Sequence, residues 1–309
     1  MTISPIEPKK ALYIKLGIGG CWEKDCIEKD QTLRLRYAEV PHDLCLQGKW
    51  DEVLKEISKI KKDAGAAKRD CNQIRYFYES GKDVLWVTFF AHRLCWCFSE
   101  PKVTFLRDKS KTRPVTGQWS CMDVNGKLLE RSQLSGRLLS MEGFRGTICS
   151  VKEFEYLVRK INGRVPREVE AAQAALSELD KKVETIIRRL HWKDFEILID
   201  LIFRQAGCQR VSELGGVQKT LDLDLVSPIT SEERYGVQIK SKANLADFED
   251  YQRRFANMQD YRMFFVVHSP SDDLANSKET EDTKLWLPSK IAHMTVKYGL
   301  TDWVIARAS

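Results

Sequence analysis

Apolar positions in the first half of the chain come in short runs separated by Gly, Pro, Asn and Asp. The runs are Ala11–Gly17, Thr32–Tyr37, Val84–Phe90, Leu94–Phe98 and Val103–Leu106. Runs of that length bounded by turn-forming residues predict strands. Residues 1–164 are therefore expected to form a β-rich, barrel-like domain of the α+β class. Two stretches inside it carry apolar residues at helical spacing instead, Trp50–Lys62 and Val151–Ile161, and predict helices that decorate the sheet.

The pattern changes after Gly163. Pro166 stands where a first-turn proline belongs, and Val169, Ala172, Leu176, Leu179, Val183, Ile187 and Leu190 then follow helical spacing. Residues 165–190 are expected to be a connecting helix with one buried side, either in a dimeric coiled coil or against the chain's own domains. From residue 191 to 309 the order becomes helix (His191–Gln205), strand (Gln209–Glu213), two alternating strands (Thr220–Ser227 and Tyr235–Lys240), helix (Leu245–Tyr261), strand (Met263–His268) and helix (Ser289–Tyr298). Such an order predicts an α/β domain with a mixed central sheet.

Composition narrows the function classes. A chain of 309 residues exceeds what one core usually organises, which agrees with two domains. With 43% hydrophobic and 30% charged residues it is neither disordered nor fibrous. A formal net charge of +6 permits a polyanionic partner without requiring one. Nine cysteines, an odd number without zinc-knuckle spacing, are expected to be small buried hydrophobes in a reducing cytosol. The polar first ten residues lack a signal-peptide core, and no 18-residue apolar run occurs, so a cytoplasmic protein without membrane contact is expected.

The chemistry concentrates in the two alternating strands. A strand has period two, so Asp222 and Asp224 face one way and Leu221, Leu223 and Leu225 the other; Gln238 and Lys240 likewise share a face. A turn centred near Ser231 would set Asp224 beside Gln238 and Asp222 beside Lys240. Hydrolysis of a phosphodiester needs such a group. Hard oxygen ligands hold Mg²⁺, with Mn²⁺ as a substitute, and a lysine orients or deprotonates the attacking water. The neutral Gln238 demands negative charge from elsewhere, and Glu196 on the preceding helix is the candidate source. Taken alone, two aspartates and a later lysine on alternating strands also describe a solvated sheet face.

The segments DFE (Asp194–Glu196), ELGG (Glu213–Gly216), TLDLDL (Thr220–Leu225) and VQIKSKA (Val237–Ala243) resemble, in order and spacing, those of Mrr-like restriction endonucleases. That group is a branch of the PD-(D/E)xK superfamily in which Gln-x-Lys replaces Glu-x-Lys. The resemblance spans about Leu190 to Val267. It implies a Mg²⁺-dependent endonuclease of a defence or restriction system acting on double-stranded DNA as a homodimer or DNA-induced oligomer. Glu196 would be the helix acid, Asp222 or Asp224 the metal-binding aspartate with Asp222 favoured, Gln238 the second ligand and Lys240 the catalytic lysine. The Ile239 carbonyl would be a further ligand. Apart from the resemblance, Lys242, Arg253 and Arg254 are candidates for phosphate contacts near the site, and a solvated helix face explains them equally.

In the first domain GIGG (Gly17–Gly20) lacks the Gly-Lys-Ser/Thr that completes a phosphate loop and reads as a tight turn. Aromatic residues abound there, and proteins that extrude a base hold it between aromatic walls. By analogy with modification-dependent restriction systems, a PUA-like module reading a modified base is expected, with Trp22, Trp86 and Trp96 as pocket candidates. Two alternatives stand beside this reading. One is a non-catalytic nucleic-acid-binding protein with a nuclease-like fold. The other is a nuclease activated by a small signalling molecule bound in the first domain.

Overall fold

The computed structural model describes residues 4–211, 221–227, 234–256, 258, 261–277, 279 and 283–309. The chain divides into two compact units, Met1–Pro166 and Arg167–Ser309.

The strands of the first unit are β1 (Lys10–Ile14), β2 (Thr32–Leu35), β3 (Val84–Phe90), β4 (Arg93–Ser99), β5 (Thr104–Phe105), β6 (Lys111–Ser120) and β7 (Ile148–Ser150). They make one sheet in the order β2-β6-β4-β3-β1-β7, with β5 paired to β6. Only β1 and β3 pair in parallel. The helices are α1 (His42–Leu46), α2 (Trp50–Ile60), α3 (Ala64–Glu79), α4 (Gly136–Leu139) and α5 (Phe154–Ile161).

Period-two alternation sorts the central strands between two cores. Leu12, Ile14, Trp86, Cys95 and Cys97 pack with Val53 and Ile57 of α2 and Ile74 and Phe77 of α3. Tyr13, Leu85, Val87, Leu94 and Trp96 pack with Leu138 of α4 and Leu157 and Ile161 of α5. Helices thus cover both faces, and the sheet curls into a half-barrel whose path ends at β2 and β7 without closing. The barrel-like expectation is corrected to that extent.

Hydrophobic patterning does not predict β6 or α3. Strand β6 directs Lys111 and Arg113 inward, both essentially without exposure. Arg113 donates to the carbonyls of Phe77 (2.6 Å), Ser80 (2.7 Å) and Glu100 (2.9 Å), and Lys111 donates to those of Arg36 and Tyr37. Backbone acceptors, including one in the last turn of α3, compensate the buried charge. Burial still pulls the Arg113 pKa down to about 10 and that of Lys111 to about 8. The pairing of β4 with β6 aligns Trp96 with Ser120, and the residues beside them, Cys95 and Cys121, form a disulfide. This corrects the expectation of nine free thiols; the other seven cysteines are free.

The second unit contains α6 (Arg167–Ile187), α7 (Trp192–Gln205), β8 (Gln209–Arg210), β9 (Leu223–Val226), β10 (Arg234–Ala243), α8 (Leu245–Phe255), β11 (Tyr261–Pro270), α9 (Asp272–Ala275), β12 (Thr283–Trp286), α10 (Pro288–Lys297) and α11 (Thr301–Ala308). Its described strands lie in the order β12-β11-β10-β9-β8, parallel from β12 to β10 and antiparallel onward, which is the expected mixed sheet. On one face Leu223, Leu225, Val237, Ile239 and Val266 pack against α7, α10, α11 and the end of α6. On the other, Met263, Phe265 and Val267 pack against Phe248 and Phe255 of α8.

Helix α6 is accordingly part of the second unit rather than a free connector, because Val183 and Ile187 are fully buried in its core. Val169 and Leu176 in its first half, and Leu179 just past its middle, remain exposed. The Glu213–Gly216 segment, Thr220 and the turn at 228–233 lie outside the described residues. No helix among the described residues is long and apolar enough to cross a membrane.

A Cβ placed on Gly236 would stand 2.6 Å from Phe255 Cζ and 2.8 Å from Leu221 Cδ2. Gly236→Ala is expected to destabilise the second unit by about 1–3 kcal/mol through overpacking. Trimming Phe255 to Leu in the same chain should make the loss less than additive, which thermal unfolding of the single and double variants checks.

Candidate functional site

The register of β9 against β10 decides which polar groups meet. Arg234 pairs with Val226, Gly236 with Asp224 and Val237 with Leu223. The pairing is centred on position 230, one residue earlier than a turn centred on Ser231, and each cross-strand partner shifts by two. Asp224 therefore stands opposite Gly236, and Asp222 falls beside Gln238. The expected pairings of Asp224 with Gln238 and of Asp222 with Lys240 are corrected.

Asp222 precedes β9, where the chain bends. Alternation fails at this bend: Leu221 joins the α8-side core while Leu223 and Leu225 pack on the α7 side. The Asp222 N–H donates to the Val237 carbonyl at 3.0 Å. Its carboxylate accepts from the Gln238 Nε2 at 2.6 Å and from the Ile239 N–H at 2.6 Å, both on Oδ2. One aspartate thus touches two successive residues of β10 and ties the strand end to the centre of the sheet. Gln238 itself is only 4% exposed, so its amide is fixed by packing as well as by this bond.

Electrostatics link the pair to α7. Burial raises the Asp222 pKa above the usual carboxylate range, opposed by the Ile239 N–H and by the positive charge of Lys240. Burial also raises the Glu196 pKa, and the Asp222 charge raises it further, against Arg210 and Lys193. A carboxylate whose ionisation is resisted by burial and by a second carboxylate's charge is one that a bound cation would relieve. Asp194, two residues before Glu196, instead meets Arg307 at 3.7 Å.

Lys240 is two positions beyond Gln238 on the same face of β10, half-buried, with its Nζ 5.4 Å from the centre of the Tyr251 ring of α8. Tyr251 has no motif around it that would single it out in sequence. Asp224 is buried but separate: its Oδ2 accepts from the Tyr261 hydroxyl at 3.3 Å, and its Oδ1 has no partner among the described residues. Tyr261 in turn accepts from Arg234 at 2.9 Å. Asp222, Gln238, Ile239 and Lys240 are brought together, Glu196 is linked to them through the Asp222 charge, and Asp224 stands apart.

The cations expected at phosphates are exposed, yet Arg253 and Arg254 both pair with Asp250, at 3.6 and 2.5 Å. Lys242 is exposed on β10 beyond Lys240. In the first unit Trp86 is fully buried in one core, and Trp96 lies in the other with its indole N–H on the Met122 carbonyl at 2.7 Å. Neither can wall a pocket, because the strand alternation that buries them is the same signal that marked them. Trp22 alone of the three lines a cavity.

No protein-family profile matches the chain, and no curated protein matches it. Among solved structures, the chain is similar to the DNA modification-dependent restriction endonuclease AspBHI. The TM-score is 0.34 at 11% identity, over 83% of this chain and 74% of that one. At that TM-score the likeness carries no argument about fold or activity.

The raised pKa of Asp222 means that the folded unit holds this proton more tightly than the unfolded chain. The stabilising contribution of protonation is present at low pH and is lost as pH rises through the folded pKa. Asp222→Asn keeps an acceptor for the Ile239 N–H without the charge. In metal-free buffer it is expected to melt higher than the native chain at about pH 7, with the gap closing toward about pH 4. Identical melting curves at neutral pH would count against a buried ionised Asp222.

Proposed function

We propose that the second unit is a divalent-metal-dependent nuclease that hydrolyses phosphodiester bonds of double-stranded DNA. The observation that carries this reading is the junction at Asp222, where one half-buried carboxylate meets the Gln238 amide and the Ile239 N–H, with Lys240 on the same strand face and Glu196 in electrostatic reach.

The donor set fits a hard cation such as Mg²⁺, or Mn²⁺ in its place: a carboxylate, an amide oxygen and a backbone carbonyl, with a second carboxylate nearby. Among the described residues no cluster of three or more His, Cys, Asp or Glu side chains is poised for a metal. The negative charge therefore has to come from Asp222 and Glu196, with Gln238 and the Ile239 carbonyl as neutral ligands. When bound, such a cation would polarise the scissile phosphate and acidify a water.

The chain's own residues supply the remainder. The Ile239 N–H and the Gln238 Nε2 orient the Asp222 carboxylate and hold it in one rotamer. The Lys240 ammonium, beside Tyr251, offsets the charge that builds on the phosphate and orients the attacking water. Cutting both strands would take two copies of the site, hence a dimer formed alone or on DNA. With Trp86 and Trp96 in the core, the reading does not require recognition of a modified base.

Incubating purified protein with duplex DNA, modified and unmodified at cytosine, in Mg²⁺ or Mn²⁺ tests the proposal. Lys240→Ala and Asp222→Ala are each expected to lower the cleavage rate by about 10²–10³-fold while DNA binding persists. Intact DNA with native protein in either metal, together with undiminished binding, would leave the non-catalytic nucleic-acid-binding reading in its place.

A further inference from the structure

The first unit contains a cavity of about 430 Å³ that the nuclease chemistry does not use. Four cationic side chains line it, Lys15, Arg36, Lys61 and Arg145, against the single carboxylate of Asp70. Arg36 and Arg145 are exposed, and neither guanidinium has an ion-pair partner among the described residues. Trp22 and Tyr37 form aromatic walls, and the backbone of Gly17–Gly19 closes one side.

The walls are preorganised. Tyr37 adopts a left-handed backbone conformation, φ 43°, which a bulky residue holds only when its surroundings impose it. Buried Lys111 imposes it from behind by donating to the Arg36 and Tyr37 carbonyls. From the front, Asp70 accepts from the Tyr37 hydroxyl at 3.1 Å and pairs with Lys61 at 2.8 Å. Gln73 donates to Asp70 and accepts the N–H groups of Thr147 and Ile148, so the strand carrying the opposite wall is tied to the same network. Gly17, at φ 88°, leaves no room for a Cβ, which would sit 2.5 Å from Cys21 Sγ and 3.2 Å from the Trp22 ring. One side of that ring is capped by the Arg34 guanidinium at 4.4 Å, itself anchored by Asp108 at 2.5 Å.

A volume of this size holds a small organic ligand. An extruded DNA base is neutral and is read by hydrogen bonds to its edge and by stacking. Beyond the Lys61–Asp70 pair, three cations around one cavity match a ligand that brings several negative charges inside, and a tryptophan held in place by a guanidinium matches one that also brings a flat ring. We propose that this cavity binds a free nucleotide carrying at least two phosphate charges, with the phosphates on Arg36, Arg145 and Lys15 and the base against Trp22. This assignment is independent of the nuclease reading, because it is measured without cleavage.

The test is calorimetric titration of the full chain, in EDTA to silence any metal site, with ATP, GTP, cyclic diadenylate and inorganic triphosphate. Cytosine-modified duplex DNA is titrated in parallel. At least one nucleotide is expected to bind with a Kd below about 100 μM, and inorganic triphosphate at least about tenfold more weakly. Arg36→Ala and Arg145→Ala change exposed side chains, so both should fold, and each should weaken the nucleotide by about tenfold. Circular dichroism of both variants confirms the fold. Absence of nucleotide binding up to about 1 mM, or binding that both variants leave unchanged, overturns the proposal. So does inorganic triphosphate binding as tightly as the nucleotides. Tight binding of modified DNA alone, lost in Arg36→Ala, would assign the cavity to an extruded base instead.

Discussion

Strand β10 carries two demands at once, and the second unit is arranged around meeting both. Its odd-numbered residues Val237 and Ile239 belong to the core under α7, α10 and α11, while Gly236, Gln238 and Lys240 alternate onto the side covered by α8. Strand β10 is the central described strand; Gln238 and Lys240 are paired to Phe265 and Val267 of β11, and on the other edge, where β9 has ended, Asp222 bonds to Gln238 and Ile239. A side chain on such a strand has little freedom to drift, which is the condition a reacting group needs. The same position makes each polar residue costly to bury. Gln238 is accommodated because Asp222 turns back to accept from it, and Gly236 because Phe255 occupies the space a side chain would fill.

Asp222 and Glu196 show how that cost appears. Each carboxyl is pushed up by burial, and Glu196 further by its neighbour's charge, so the site holds electrostatic strain in the protein alone. Asp224 is the instructive contrast. It lies two residues further on, within β9, and is more deeply buried, yet it is engaged by Tyr261 and aligned with a glycine, and takes no part in the cluster.

The first unit solves a different problem by similar means. Strand β6 has too few apolar residues to be held by hydrophobic burial alone. It stays in the sheet because Arg113 saturates carbonyls around the end of α3 and Lys111 those of the 36–37 turn. Arg113 connects the sheet to the helix that supplies Asp70 and Gln73, and Lys111 connects it to the segment that carries Tyr37. The cavity wall at Tyr37 follows from a core feature, not from an independent loop.

The sequence by itself determined the strands and helices whose apolar spacing is regular: β3, β4, α2, α7, the first part of α8 and the central strands of the second unit. Period-two and period-3.6 burial is a local property, legible from the chain alone. It also identified the residue types of the candidate site, because aspartate, glutamine and lysine on alternating strands carry a chemical meaning wherever they pair. It did not determine β6, α3, the Cys95–Cys121 disulfide or the Gly17–Gly19 wall of the cavity. Each of these depends on partners far along the chain, and a buried Arg113 or a glycine turn has no local hydrophobic signature. Register was the decisive case. A one-residue change in the centre of the hairpin leaves every side chain on its face but moves each partner by two, so only the tertiary structure could choose Asp222 over Asp224 as the partner of Gln238. The chemistry was written in residue types; which of them meet was decided by hydrogen bonds between strands.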